Sequence, residues 1–208
     1  MGYSSDELRQ EAYTRVKKMI VTKKLIPGET ILQERLCDML GISIASLNEA
    51  LEMLATESIL VHSSLGRMKV RELSTTEILE IFDCRIALET KAIELFTQFA
   101  SQERIDDLRN LLVPFEKGNC SATVFLKIDM HFHYLIIKNC GNQKLYDVYE
   151  QGNFLACMEL IGLIEMPQKE ILQDHLNIVS AIHQRDVDRA VVLMKRHIEK
   201  SKDAFYSQ

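Results

Sequence analysis

Residues 41–61 read GISIASLNEALEMLATESILV, and the fold turns on them. Ser43 suits a helix N-cap, because its hydroxyl can accept from an amide in the first turn. Leu47, Leu51 and Leu54 follow at helical spacing and mark one inward stripe of a helix that runs to about Ser58. Just upstream, TILQERLCDMLG forms a short second helix, with Gly41 in the position that ends such helices. Further back, Leu8, Ala12, Val16 and Ile20 give a first helix its apolar stripe, and Pro27-Gly28 stops it. Downstream, ILVHSSLGRMKVREL reads as two short strands about a turn at Ser63–Gly66. Three helices and a small hairpin make a winged helix-turn-helix over residues 1–73.

The third helix has the shape of a DNA-reading element without its usual side chains. No Lys or Arg occurs between Leu36 and Gly66, although phosphate contacts and guanine readout depend mainly on those residues. The cations sit before it, at Lys17, Lys18, Lys23 and Lys24, and after it, at Arg67, Lys69 and Arg71. Residues 1–73 carry ten Lys/Arg and ten Asp/Glu, and the remainder carries fifteen and twenty. With a net charge of −5, no global basic field draws in nucleic acid, so any DNA contact must be built locally.

After Leu73 no strand signal returns. Helices are expected near 75–99, 102–116, 120–139, 142–165, 168–184 and 186–205, punctuated by Asn119, Gly141-Asn142, Pro167 and Asp186. Residues 74–208 therefore form an all-α bundle, and the chain as a whole is mainly α. Three Pro and eight Gly in 208 residues exclude a turn-rich all-β fold. The opening MGYSSDELRQEAY has no apolar signal segment, Asp6 breaks the myristoylation pattern, and no apolar run reaches bilayer length. Cys37, Cys84, Cys120, Cys140 and Cys157 form no CxxC pair, which suits reduced thiols in a cytoplasm. A cytoplasmic protein with no membrane partner is expected.

The chemistry lies in the bundle. In FLKIDMHFHYLIIKN, Asp129 and His133 are an i, i+4 pair on the face of Phe125, Leu126, Ile136 and Ile137. His175 shares a face with Ile171, Ile178, Val179 and Ile182, and His197 follows Val191, Leu193 and Met194. A single buried histidine is usually a satisfied core residue. One carboxylate and three imidazoles on three inward faces point instead to a divalent metal site. That donor set suits zinc or nickel first, with manganese or iron next, and disfavours calcium or a thiolate site. His131 points away, His183 ends a helix and His62 lies in the wing, so these are read as structural. Arg85 and Glu89, also i, i+4, are either a surface ion pair or an inward arginine that holds an anion by its planar fork. Spacing alone favours the surface pair.

These residues carry a resemblance over nearly the whole chain. LIPGETILQERLCDMLGIS, NEALEMLATESILV and the wing Gly66 resemble the winged domain of GntR-family bacterial transcription regulators. RIALE, DMHFHYLIIKNCGNQKL and DHLNIVSAIHQRDVDRAVVLMKRHI resemble the FadR-like, all-helical FCD effector domain of one subgroup. The resemblance implies a divalent ion on Asp129, His133, His175 and His197. It further implies a small carboxylate effector near Arg85 and a homodimer on double-stranded DNA. The pattern departs at SIASLNEAL, where Ile44 and Asn48 stand at the two arginine positions, Ala45 at the threonine and Ser46 at the proline. Arg35 does match a DNA-contacting position. Asn48 can read adenine, Ser43 or Ser46 can meet a phosphate, and Arg67 and Lys69 flank the helix.

The resulting expectation is a ligand-responsive transcription regulator with an atypical reading helix. The alternative is a sensor or interaction protein on the same scaffold that has lost specific DNA binding. A metalloenzyme fits less well, because no nucleophile or general base stands beside the ligand set.

Overall fold

The computed structural model describes residues 5–116, 121–162 and 166–207. Its helices are α1 (Ser5–Val21), α2 (Gln33–Leu40), α3 (Ile44–Thr56), α4 (Thr75–Phe99), α5 (Gln102–Glu116), α6 (Ala122–Lys138), α7 (Gln143–Gln151), α8 (Phe154–Ile161), α9 (Gln168–His183) and α10 (Val187–Tyr206). Its strands are β1 (Leu60–His62) and β2 (Met68–Val70). The chain divides into two compact units, Met1–Ser74 with Ala156–Gly162, and Thr75–Leu155 with Leu163–Gln208.

The first unit is a winged helix-turn-helix. Gly41, at φ 63°, closes α2 by donating its amide to Cys37 O, a left-handed conformation that a Cβ would disfavour. Ser43 then caps α3, its Oγ accepting from the Ser46 amide at 3.1 Å. Leu47, Leu51 and Leu54 are buried against Val16, Ile20, Leu36, Ile59 and Val70, as the leucine stripe requires. β1 and β2 pair antiparallel, Leu60 with Val70 and His62 with Met68, and Thr30 adds one bridge to Lys69. Losing the Ser43 hydroxyl leaves a helix-end amide without its partner. Ser43→Ala is therefore expected to cost about 1 kcal/mol, read as a lower urea midpoint with an unchanged slope.

Two features of this unit differ from expectation. α1 ends at Val21 instead of running to Pro27-Gly28, because Lys23 turns left-handed at φ 57° and the Lys24 and Leu25 amides fold back onto Met19 O. The first unit also includes Ala156–Gly162 from far along the chain, and Ala156 and Leu160 join its apolar core. Lys17 Nζ reaches Glu57 at 2.9 Å and Glu159 at 2.8 Å. Lys23 Nζ donates to Leu160 O at 2.5 Å, satisfying a carbonyl at the end of α8. Two of the four cations that precede the reading helix are thus engaged within the unit.

The second unit is all helix. α4 lies along α10, α6 packs on α4 and α5, and α9 packs on α5 and α10. Phe82, Ile93, Phe96, Ile105, Phe132, Ile136, Ile182 and Met194 are fully buried between them. The single helix expected over 142–165 is two, α7 and α8. Asn153 sits at φ 49° between them, and a Cβ on Gly152 would lie 2.3 Å from the Phe154 ring. Two poor helix formers in sequence interrupt the helix there. The Asn119 boundary and residues 163–165 of that expected helix lie outside the described residues.

Candidate metal centre and nucleic-acid interface

Helical spacing brings the four expected ligands to one point. Asp129 and His133 lie one turn apart on α6, His175 comes from α9 and His197 from α10. One ligand atom from each lies within 4.8 Å of all the others. The three histidines are at most 2% exposed, and Asp129 is half-buried. His197 Nε2 lies 3.2 Å from both His133 Nε2 and His175 Nε2. Asp129 Oδ1 is 3.3 Å from His175 Nε2 and 4.0 Å from the other two.

That packing has the form of a cation site. Burial, reinforced by the neighbouring imidazoles, pushes His175 well below the usual histidine range. Burial also depresses His197, against the opposing pull of Asp174. A neutral imidazole carries one N–H and one lone pair, so two Nε2 atoms at 3.2 Å share either a proton or a cation between them. Metal–nitrogen bonds of about 2.1 Å give ligand-to-ligand edges of about 3.0–3.4 Å in octahedral or tetrahedral geometry. Five of the ligand separations lie between 3.2 and 4.0 Å, close enough for small shifts to complete such a shell.

A second layer fixes the ligands. Glu89 Oε2 lies 2.5 Å from His133 Nδ1, which holds the proton there and leaves Nε2 to the centre. Arg85 Nε donates to the other oxygen, Glu89 Oε1, at 2.7 Å. Burial alone would raise the Glu89 carboxyl, but Arg85 and His133 outweigh it and hold it at about 2. The surface-pair reading of Arg85 and Glu89 is therefore corrected, since both are buried, at 4% and 0% exposure. Asp174 Oδ2 stands 3.6 Å from His197 Nδ1, beyond hydrogen-bond length, and itself binds Lys200. Phe132 stacks on the His175 ring at 4.2 Å. Glu89 and Asp174 were not identified as partners of the ligands from sequence. The only signals were a carboxylate four residues after Arg85 and another immediately before His175. His131, His183 and His62 are exposed, in keeping with their exclusion.

In the first unit, α3 presents Ile44, Ala45, Asn48, Glu49 and Glu52 on its exposed face. Arg35, Asn48, Glu52, His62 and Arg67 line one cleft of about 680 Å³ between α2, α3 and the wing. Lys69 is half-buried on β2, and Ser43 is exposed. Ser46 departs from expectation: it is only 8% exposed, and its hydroxyl lies 2.9 Å from Ser43 Oγ inside the helix cap. The cap consumes the group that was expected to meet a phosphate.

The fold has two parts, a winged helix-turn-helix and a helical bundle, and comparison with known proteins gives the family. The family model for bacterial regulatory proteins of the gntR family matches residues 8–72, and the FCD domain model matches residues 80–200. The chain belongs to the GntR-family transcription regulators that carry an FCD domain. It is 28% identical over 187 residues to the Nta operon transcriptional regulator of Aminobacter aminovorans, covering 89% of this chain and 88% of that one. It is 26% identical over 207 residues to the gluconate operon transcriptional repressor of Bacillus licheniformis, covering 92% and 84%. The solved structure of E. coli McbR/YncC superposes with a TM-score of 0.72 at 18% identity, over 97% of this chain and 98% of that one. The first two of these relatives are named as regulators of transcription. No helix among the described residues is long and apolar enough to cross a membrane.

Proposed function

We propose that this regulator senses a small carboxylate through a divalent metal held by Asp129, His133, His175 and His197. The convergence of three buried imidazole Nε2 atoms and one carboxylate oxygen within 4.8 Å carries this reading. Three nitrogens and one oxygen favour zinc or nickel, then manganese or iron. When bound, the ion supplies a Lewis-acidic position for an anionic effector. Arg85 adds positive charge beside the centre, and through Glu89 it positions His133. A relative that represses a gluconate operon supports a small hydroxy acid as the effector class. An effector switches DNA binding only if it favours one arrangement of the protein over another. One winged unit serves one half-site, so two half-sites call for a homodimer. The reading places the protein in the cytoplasm with its DNA.

Elemental analysis of the purified protein tests the metal, with about one divalent ion per chain expected. For the effector, Arg85→Lys is the informative change. It keeps a cation opposite Glu89 but removes the planar fork. Calorimetry with gluconate and simple mono- and dicarboxylates is expected to find a ligand for the wild type. Affinity for that ligand should fall about ten-fold or more in the variant, the scale of one charge-assisted hydrogen bond, while metal content is unchanged. Equal affinities would remove Arg85 from the effector site.

A second reading, a sensor that no longer binds DNA specifically, draws on one observation. The exposed face of α3 offers two carboxylates and no cation. Binding measured on specific and random duplexes separates the two.

A further inference from the structure

The exposed face of α3 is unlike a guanine reader and has a chemistry of its own. Ile44 is 49% exposed at the first position of the helix. Ala45 and Asn48 are exposed beside it, and among the described residues no hydrogen bond engages the Asn48 amide. Base edges in the major groove sort by chemistry: arginine or lysine pairs with guanine, asparagine pairs bidentately with adenine, and apolar groups pack on the thymine methyl. Ile44 and Asn48 lie four residues apart, about 6 Å of helix rise. That is one to two base steps, so the two side chains face neighbouring base pairs.

The wing points the same way. Its tip carries Leu65, 82% exposed, then Gly66 at φ 72° with nothing within 4 Å of where a Cβ would stand. Arg67 is exposed next to it. The narrow minor groove of A·T tracts concentrates negative potential and attracts such an arginine, and leucine is an apolar wedge for the same groove.

We infer that the winged unit reads A·T-rich duplex DNA, with Asn48 on adenine, Ile44 and Ala45 on thymine methyls, and the Leu65–Arg67 tip in the minor groove. This inference rests on the DNA-binding reading above and specifies its target. Glu52, one turn beyond Asn48, repels the acceptor atoms of guanine and accepts from the amino group of adenine or cytosine. The base pair it faces is open to either.

Selection from random duplexes by the full-length protein is the first arm of the test, and A·T-rich half-sites are expected. The second arm replaces thymine by uracil in the selected duplex, which deletes only the methyl groups. Wild-type affinity should fall about four-fold per contacted methyl, the worth of one buried carbon. Ile44→Ser, a surface change that spares the core, should show a smaller loss on the same pair of duplexes. Asn48→Arg should shift the preference at one position from adenine to guanine by about ten-fold. G·C-rich selected sites, or equal wild-type affinity for thymine and uracil duplexes, overturn the inference and leave DNA binding standing. Failure to bind any duplex at low salt overturns the DNA-binding reading itself, and this inference with it.

Discussion

The His175→Ala/His197→Ala double variant is expected to carry essentially no divalent metal where the wild type carries one ion per chain. Both side chains point Nε2 at the shared centre, so the change removes two of four ligands and leaves one imidazole and one carboxylate. Two donors do not hold a first-row ion against buffer at ordinary concentrations. Stability should follow. An ion present at a hundred times its dissociation constant stabilises the folded state by about 2.7 kcal/mol, or about 5–10 °C of melting temperature for a chain of this size. A chelator should therefore lower the wild-type melting temperature by that amount and leave the variant's unchanged. The chelator comparison matters because the alanines also create cavities, which depress stability with or without metal. Full metal retention by the variant would end the metal assignment.

The convergence of Asp129, His133, His175 and His197 was legible in the sequence because each lies on a helix whose apolar neighbours fix which face turns inward. Asp129 and His133 needed only the i, i+4 rule, and His175 and His197 only the stripes around them. What surrounds them was not legible, because it joins helices far apart in the chain. His133 meets Glu89 across 44 residues, and no periodicity relates the two. The i, i+4 spacing of Arg85 and Glu89 is the same for a solvated pair as for a buried one. Only the packing around α4 tells them apart. The winged fold was legible from Ser43, Gly41 and the leucine stripe. The break between α7 and α8 was hidden because the apolar pattern resumes directly after Gly152-Asn153, where the helix is interrupted. The partners of Lys17 and Lys23, two of the cations that precede the reading helix, were not legible either, because Glu159 and Leu160 are some 140 residues away.

The exposed face of α3 sets the last expected result. Changing Ile44→Arg and Asn48→Arg together should tighten DNA binding, by about 1–3 kcal/mol for each arginine that reaches a guanine edge or a phosphate. Both positions are exposed, so neither change disturbs the core. An arginine that lands on phosphate releases counterions and steepens the salt dependence by about 0.9 in log–log slope, whereas one on guanine alters the preferred sequence instead. Glu52 opposes the gain, since it stands four residues beyond position 48 and can pair with the new arginine. Such an exposed i, i+4 pair is worth only about 0.3–0.5 kcal/mol, too little to cancel a base or phosphate contact. Titrations at two or more salt concentrations, on random and selected duplexes, read out both effects. The unmodified protein should owe its backbone affinity to Arg35 and Lys69, so Arg35→Ala should weaken all sequences about equally. If the double arginine variant still binds no duplex, the missing cations were not the limiting feature. The chain would then be a regulator scaffold working without specific DNA contact. If it binds tightly while the wild type binds weakly, the two arginine positions account for the difference, and the apolar-and-amide face of α3 is a weaker reader of DNA.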